Sequence, residues 1–397
     1  MKPLSVEWLK TRSFAVTESL IVEKQVKLLG KINQRSQIRY VRAITSLPSV
    51  RHSWADRFRR SKTVVITSDE IAEVPVRIYR PSEPVGGPEG ALIFIHGGGF
   101  CVYKAHDYDP FIRRLCKLIG CPVISINYRR APEHIFPAPI EDCQKVVLDL
   151  MTNSRTRLNI DPCNLIVMGD SAGGNVAAAL THRLKGMEGI PRLKGQVLIY
   201  PVVQCIDMRT SSYLEFTKRR YQRSICLLST ELMATFALAY IGVEPTRRNI
   251  HGIMNNRHLD VDDCRYQKVK HLLVMDEDSR KSATPHTNVE LKNGTHKLDR
   301  KLINRTQHLI YSTDLSPLLA PNFRDLPPAC VLTVGMDVLR DDGFLYAQRL
   351  RASDVSCVSL HYEHAMHGVL NTFDIHTTRQ MTRDMAAFVR QRLAAKV

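Results

Sequence analysis

The stretch from Asn164 to Asn175 constrains the fold of this chain more than any other part of the sequence. The apolar run Leu165 to Met168 predicts a buried strand, and the run Val176 to Leu180 that follows predicts a helix. Between them lies the pattern Gly-x-Ser-x-Gly, with Ser171 at its centre. A strand, a tight turn and a helix in this order form the context of a nucleophile elbow, in which the serine projects from the tip of the turn. The pattern alone also fits an ordinary glycine-rich turn, so its interpretation depends on the rest of the chain.

Apolar strands alternate with helical patterns on both sides of this stretch. Several of the strands are apolar on both faces, as central strands of a covered parallel sheet must be. The sequence therefore predicts an α/β fold, with a mostly parallel sheet and helices on both of its faces. The predicted strands of this sheet are Ala91–Ile95, Pro122–Tyr128, Leu165–Met168, Gln196–Tyr200, Ala329–Val334 and Val355–Tyr362.

The alternation divides the chain into four parts. Residues 1–60 read as an amphipathic helical segment, and residues 61–204 as the first part of the α/β core. No strand pattern is convincing in residues 205–314, which we interpret as an insertion that includes a polar, mobile loop from Asp276 to Arg305. Residues 315–397 complete the core, with a closing helix near its end.

A serine hydroxyl attacks a carbonyl group only if a base takes its proton and an acid orients that base. Asp337 follows the predicted strand at 329–334, and His367 follows the one at 355–362. The order Ser171, Asp337, His367, on loops after successive strands, is the order that a nucleophile elbow of this kind requires. We therefore predict these three residues as nucleophile, acid and base.

Other acids and histidines lie close to the two partners of Ser171. Asp341 and Asp342 fall in the first turn of the next predicted helix, where acids favour the positive end of the helix dipole, so we interpret them as capping residues. His361 and His364 lie on the strand or at its end, whereas His367 precedes a glycine in the loop beyond it.

Three consecutive glycines follow the first central strand, in the segment His96-Gly-Gly-Gly-Phe100. Such a run has a high conformational entropy cost, which is justified if the backbone must approach a ligand closely and direct bare N–H groups at it. We predict that the N–H groups of Gly98, Gly99 and Ala172 stabilise the oxyanion that forms during acyl transfer.

The chain has a formal net charge of +17, and much of the excess lies between Arg35 and Lys62. Two interpretations stay open: a solvated helical face, and attraction to an anionic membrane surface. No zinc-finger or RNA-recognition motif accompanies the charge, so nucleic-acid binding is not predicted. The 10 cysteines form no C-x-x-C pair and no metal-binding cluster with histidine, so no metal site is predicted either.

Taken together, these motifs resemble the hormone-sensitive lipase family of α/β-hydrolases, and within it the arylacetamide deacetylase-like branch. The matching segments are HGGGF at 96–100, YRRAPEHIFPAP at 128–139, GDSAGGN at 169–175, LIYP at 198–201, SPLLAP at 316–321, DVLRDDGFLYAQRL at 337–350 and MHG at 366–368. The resemblance implies an α/β-hydrolase fold with a helical lid built from the N-terminal segment and the insertion. It also implies no metal and no organic cofactor, and it carries the same roles to Ser171, Asp337 and His367.

The sequence departs from that branch in two places. Members usually begin with a hydrophobic signal anchor that faces the lumen of the endoplasmic reticulum, and no such anchor is visible here. The endoplasmic reticulum membrane or lumen and the cytoplasm therefore both stay open as compartments. In the segment at 128–139, Arg130 replaces the usual leucine.

The sequence thus predicts a serine esterase that hydrolyses small hydrophobic acyl, aryl or lipid esters through an acyl-enzyme on Ser171, with amide deacetylation as a second activity. The alternative is a ligand-binding receptor on a hydrolase scaffold, which loss of the base would signal. His367 is present, so the enzyme is the preferred prediction.

Overall fold

The computed structural model describes Ile38, Arg42 and residues 63–83, 89–218, 228–277, 298–372 and 376–395. Most of the basic segment between Arg35 and Lys62, and most of the predicted polar loop, lie outside these residues. Ile38 and Arg42 are both helical, one turn apart, and Ile38 is buried in the main hydrophobic core. Within the described parts of the chain, every helix is too short or too polar to span a lipid bilayer.

Eight strands form one sheet in the order β1-β2-β4-β3-β5-β6-β7-β8. The strands are β1 (Val64–Ile71), β2 (Val74–Pro81), β3 (Glu89–Ile95), β4 (Val123–Ile126), β5 (Ile160–Asp170), β6 (Gly195–Ile199), β7 (Ala329–Met336) and β8 (Cys357–Met366). The pairs β1–β2 and β2–β4 are antiparallel, and every pair from β4 to β8 is parallel. The predicted mostly parallel sheet is therefore confirmed.

Helices cover both faces of this sheet. The α-helices are α1 (Asp109–Ile119), α2 (Ala138–Leu158), α3 (Ala172–Leu184), α4 (Ser211–Lys218), α5 (Thr230–Tyr240), α6 (Arg247–Met254), α7 (Cys264–Val269), α8 (Arg300–Ile310), α9 (Arg340–Ala352), α10 (Val369–Thr372) and α11 (His376–Ala394). Side chains of α2, α3 and α9 share one core with Ile93 of β3, while those of α1 and α11 share the other core with Phe94. Successive side chains of β3 thus point to opposite faces of the sheet and contribute to two apolar layers, one on each face.

The described residues of 205–314 form helices α4 to α8 and no strand. One part of the sequence interpretation is wrong here, because α8 begins at Arg300 and the predicted polar loop extended to residue 305. Leu302, Ile303 and Ile310 are buried on one side of α8. Their helical spacing was hidden by the basic residues between them.

Asp341 and Asp342 lie in the first turn of α9, as expected, but their carboxylates bond to another part of the chain. Asp342 is fully buried and accepts hydrogen bonds from the Val203 N–H (3.0 Å) and from Nε2 of Gln204 (3.1 Å). The Asp341 carboxylate accepts from the Ser212 N–H at 2.7 Å. These acids therefore tie the segment that leads into the insertion to α9, and the interpretation as simple capping residues is wrong.

The contacts of Asp342 can be tested by replacing it with asparagine and measuring the free energy of unfolding as a function of pH. Burial, with a smaller contribution from Asp341, raises the pKa of Asp342 from 3.8 to about 8. Between about pH 4 and pH 8 the folded protein therefore keeps a proton that the unfolded chain has lost, so this group makes the protein less stable as pH rises. The free energy of unfolding of Asp342→Asn minus that of the wild type should increase with pH in this window, by at most about 1.4 kcal/mol per pH unit.

Urea denaturation at half-unit pH steps measures that difference. The matched control is Asp354→Asn, which makes the same chemical change at an exposed residue in the turn after α9. Curves for Asp342→Asn and wild type that stay parallel from pH 5 to pH 8 would contradict the prediction.

Candidate active site

Ser171 occupies the tip of the turn between β5 and α3, as the sequence pattern predicts. Its backbone has φ 54° and ψ −119°, a conformation that residues other than glycine rarely adopt. The start of α3 packs so closely on β3 that a methyl group at Gly173 would overlap the carbonyl oxygen of Ile95. A methyl group at Gly169 would likewise overlap the carbonyl oxygen of Gly173. The two glycines of the motif are therefore required by packing.

The structure brings Ser171, His367 and Asp337 into one hydrogen-bonded chain. Oγ of Ser171 lies 2.9 Å from Nε2 of His367, and Nδ1 of His367 lies 2.8 Å from Oδ2 of Asp337. A carboxylate only accepts, so Nδ1 carries the proton and Nε2 is left to accept from the serine hydroxyl. All three side chains are buried, and Asp337 is completely so.

Asp337 and His367 each follow directly on a strand, β7 and β8 respectively. The second oxygen of Asp337 accepts the Leu339 N–H at 2.8 Å, which fixes the carboxylate against its own loop. The ring of Tyr200 lies 4.6 Å from that of His367. The acid and the base are thus held by backbone and aromatic contacts as well as by each other.

The neighbouring histidines occupy different places. His361 bonds through Nδ1 to Oγ1 of Thr333 (2.8 Å) and through Nε2 to the carboxylate of Glu363 (3.0 Å). This is a second hydroxyl–imidazole–carboxylate chain, but Thr333 is buried within β7 and the ring of Phe344 packs beside His361. His364 is exposed on β8. Neither histidine reaches Ser171.

Residues 96–103, which we call the glycine loop, follow β3 and turn back sharply. Gly98, Gly99 and Phe100 have successive positive φ values of 101°, 59° and 61°. The Gly97 carbonyl accepts from Nδ1 of His96 (2.9 Å), and the Gly98 carbonyl accepts from the N–H groups of Cys101 (3.0 Å) and Val102 (2.9 Å).

These carbonyl contacts determine where the glycine N–H groups point. In a trans peptide the C=O and the following N–H point in opposite directions, so the Gly98 and Gly99 N–H groups face away from the interior of the turn. Within the described chain neither N–H has a hydrogen-bond acceptor, and the same holds for the Ala172 N–H at the start of α3. The three predicted donors are therefore unbonded as far as the described residues show.

Asp170 is a residue of this site that the sequence interpretation left without a role. It is buried at the end of β5, and its carboxylate accepts the Gly97 N–H (2.8 Å) and the Tyr108 hydroxyl (2.9 Å). It thereby joins the elbow to the glycine loop. Burial raises the pKa of Asp170 to about 6. The sequence feature that could have identified Asp170 is its position directly before the serine, at the end of an apolar strand.

Helix α5 of the insertion lies over the glycine loop. The ring of Tyr240 stacks on that of Phe100 at a centroid distance of 3.7 Å, and a methyl group at Gly99 would overlap the ring of Phe236. Phe236 and Tyr240 are both buried. The insertion thus supplies apolar walls directly beside the predicted donors. In the described chain, no group of three or more histidine, cysteine or acidic residues could hold a metal ion.

Comparison with known proteins agrees with this geometry. A family model described as the alpha/beta hydrolase fold matches residues 92–275 and 270–371, which together carry the elbow, the glycine loop, Asp337 and His367. The chain belongs to the α/β-hydrolase family. The match also confirms the fold class predicted from the sequence.

Individual relatives place this α/β hydrolase more narrowly. It is 32% identical to arylacetamide deacetylase from Bos taurus, over 78% of this chain and 75% of that one. It is 30% identical to neutral cholesterol ester hydrolase 1 from Rattus norvegicus, over 79% and 75%. A solved thermophilic carboxylesterase, cloned from a metagenomic library, matches with a TM-score of 0.65 and 25% identity, over 92% of this chain and 99% of that one. The resemblance to the arylacetamide deacetylase-like branch is confirmed.

The close approach of α3 to β3 gives a prediction for this α/β hydrolase. Gly173→Ala should lower the free energy of unfolding by about 1–3 kcal/mol or prevent folding, because the new methyl group meets backbone that cannot move aside. Urea denaturation measures the effect.

The control is Gly195→Ala in β6, where the nearest atom to the added carbon would be 3.4 Å away. Equal stability of the two variants would show that the packing between α3 and β3 is looser than described.

Proposed function

We propose that this α/β hydrolase is a serine carboxylesterase with Ser171 as its nucleophile. Nε2 of His367 takes the hydroxyl proton as Oγ of Ser171 attacks the ester carbonyl, and Asp337 holds the imidazole in the required tautomer. His367 then gives the proton to the departing alcohol, leaving an acyl-enzyme. Water, activated by the same histidine, hydrolyses the acyl-enzyme. The hydrogen-bonded chain from Ser171 through His367 to Asp337 is the observation that carries this proposal.

The oxyanion of each tetrahedral intermediate is assigned to the N–H groups of Gly98, Gly99 and Ala172. Two features of the molecule support this assignment. The bonded carbonyls of Gly97 and Gly98 direct the loop N–H groups outward, and Ala172 begins a helix of 13 residues, whose N-terminus favours negative charge. These donors need no rearrangement when charge develops, which is the condition for strong stabilisation.

Hydrophobic acyl, aryl or lipid esters are the proposed substrates, with amide deacetylation as a second activity. The relatives named above carry arylacetamide and cholesterol ester in their names, and the aryl and sterol parts of such compounds are apolar. The ring of Phe236 lies beside the glycine loop and the ring of Tyr200 beside His367. Both rings provide apolar surface that suits such groups. Residues 1–60 and 205–314 are proposed as a lid over the core formed by 61–204 and 315–397.

The alternative of a ligand-binding receptor on this scaffold receives no support from the site. A receptor has no need of a base, yet His367 is bonded both to Ser171 and to Asp337.

We further propose that the basic segment between Arg35 and Lys62 attracts the enzyme to an anionic membrane surface. The endoplasmic reticulum is the membrane that the resemblance implies. Each lysine or arginine near such a surface contributes about 1 kcal/mol at short range. Arg42 cannot take part, because its guanidinium is bonded to Glu133 and to two backbone carbonyls.

The catalytic roles predict specific losses of activity. Turnover of p-nitrophenyl butyrate should fall by on the order of 10⁴ or more in Ser171→Ala, which lacks the nucleophile, and by about 10⁴ in Asp337→Asn, which favours the wrong tautomer of His367. Initial rates with purified protein measure both effects.

The second hydroxyl–imidazole–carboxylate chain supplies matched controls. Thr333→Val removes a hydroxyl that is bonded to a histidine, and Glu363→Gln neutralises a carboxylate that is bonded to the same histidine. Both controls should keep turnover within a few-fold of wild type. Activity lost in the controls and kept in Ser171→Ala would refute the assignment.

Membrane attraction predicts salt-dependent binding to vesicles. The protein should co-sediment with phosphatidylserine vesicles at low salt and be released at high salt, because surface charges are screened over about 8 Å at physiological ionic strength. Changing Arg57, Arg59, Arg60 and Lys62 to glutamine should weaken this binding. Equal binding to neutral phosphatidylcholine vesicles, or none at any salt, would contradict the proposal.

A further inference from the structure

Four successive carbonyls follow the glycines of the glycine loop, and all four accept hydrogen bonds from outside the loop. The Phe100 carbonyl accepts the Ala131 N–H at 3.0 Å. The next three, at Cys101, Val102 and Tyr103, accept from the guanidinium groups of two arginines. One of the four carbonyls is therefore bound by a backbone N–H, and the other three are bound by arginine side chains.

Arg42 is the first of these arginines, and it comes from the N-terminal segment. Its Nε donates to the Cys101 carbonyl at 2.7 Å and its Nη2 to the Ala131 carbonyl at 2.8 Å. The same guanidinium forms two parallel bonds, of 2.8 and 2.9 Å, with the carboxylate of Glu133. Hydrogen bonding to Arg42 holds the pKa of Glu133 below its usual range. One side chain therefore joins the glycine loop to the segment at 131–133.

Arg130 is the second arginine and binds the adjacent carbonyls. Its Nη1 donates to the Val102 carbonyl at 2.8 Å and to the Tyr103 carbonyl at 3.0 Å. Burial lowers the pKa of Arg130, and the nearby positive charge of Arg42 lowers it further. Two guanidinium groups have thus been brought close together against their mutual repulsion. The carboxylate of Glu133 offsets part of this repulsion. The arrangement allows the two guanidinium groups to bind three successive carbonyls of the glycine loop.

We propose that Arg42 and Arg130 form a clamp that holds the glycine loop in the conformation in which its N–H groups stabilise the oxyanion. The two arginines are positioning residues for the reaction, and this inference rests on the proposed esterase function. It also gives the N-terminal segment a part in catalysis, through Arg42.

The geometry explains why a clamp on carbonyls controls N–H groups two to five residues away. The Gly98 carbonyl is held inside the turn by the N–H groups of Cys101 and Val102, and this directs the Gly99 N–H outward. The Val102 N–H belongs to the same peptide group as the Cys101 carbonyl, which Arg42 binds, and the Cys101 N–H to the same peptide group as the Phe100 carbonyl, which the Ala131 N–H binds. A loop with three positive φ values has many other accessible conformations, so release of the carbonyls lets these peptides rotate and misdirects the donors.

The test is a comparison of kcat and KM in Arg42→Gln and Arg130→Leu. Loss of one oxyanion donor lowers kcat by about 10²–10³, so partial misdirection should lower kcat by about 10- to 100-fold. KM for p-nitrophenyl butyrate should stay within about threefold, because the donors act on the transition state. The affinity for a trifluoromethyl ketone, whose adduct with the serine carries an oxyanion, should fall in parallel with kcat/KM.

Arg129→Gln is the matched control. Arg129 adjoins Arg130 and binds the carboxylate of Asp142, with a shortest distance of 2.7 Å, but within the described chain its side chain forms no hydrogen bond with the glycine loop. Its loss removes an arginine of the same segment and should leave kcat within about twofold. Amide hydrogen exchange in a peptide covering residues 98–103 should be faster in the two clamp variants than in the control.

The conservative variants Arg42→Lys and Arg130→Lys extend the test if the first pair does not fold. A lysine can reach one carbonyl but cannot reproduce a planar set of donors, so kcat should recover only in part. Clamp variants with the kcat and the exchange rates of Arg129→Gln would overturn the clamp while leaving the esterase proposal intact. A wild type without turnover would overturn the esterase proposal, and the exchange experiment would then decide on the clamp alone.

Discussion

The contact between the elbow and the glycine loop is the interaction on which the rest of the site depends. Helix α3 begins so close to β3 that only hydrogen fits at Gly173, and Asp170 accepts the N–H of Gly97 across the same gap. This contact places Ser171 and the predicted oxyanion donors on adjacent turns, at the carboxyl edge of the sheet. A buried acid with a raised pKa and a serine with positive φ are both strained features, and packing of α3 between the sheet and its neighbours maintains them.

The acid and base reach this edge because parallel strands end together there. β7 and β8 deliver Asp337 and His367 from the far side of the sheet, and the insertion is fastened to the same region. Ser212 illustrates the coupling, since its N–H binds Asp341 and its hydroxyl donates to the Val338 carbonyl at 2.7 Å. The loop that carries the acid is thus braced by the first helix of the insertion. The insertion that we propose as part of a lid therefore also supports the site.

The sequence predicted the parts of this structure that depend on local pattern. Apolar runs identified the central strands, and the glycines around Ser171 and after Ile95 identified the two turns, because each feature is encoded within about ten residues. Contacts between distant side chains and backbone were missed. Arg42 binds the Cys101 carbonyl across 59 residues, and nothing in the local sequence pattern distinguishes it from the other basic residues of that segment. Asp341 and Asp342 were misread for a similar reason, since a first-turn acid looks the same whether it caps its own helix or binds another segment.

We propose Ser171 as the nucleophile of this α/β hydrolase, and the position of a covalent adduct is the most direct test of that role. The protein is treated with a fluorophosphonate, which mimics the tetrahedral intermediate and remains bonded to an activated serine, and the modified peptide is sequenced by mass spectrometry. We expect one phosphonyl group per chain, on the peptide that contains Ser171, with Thr333 unmodified. An adduct on another residue, or an unmodified Ser171 in a protein that turns over esters, would contradict it.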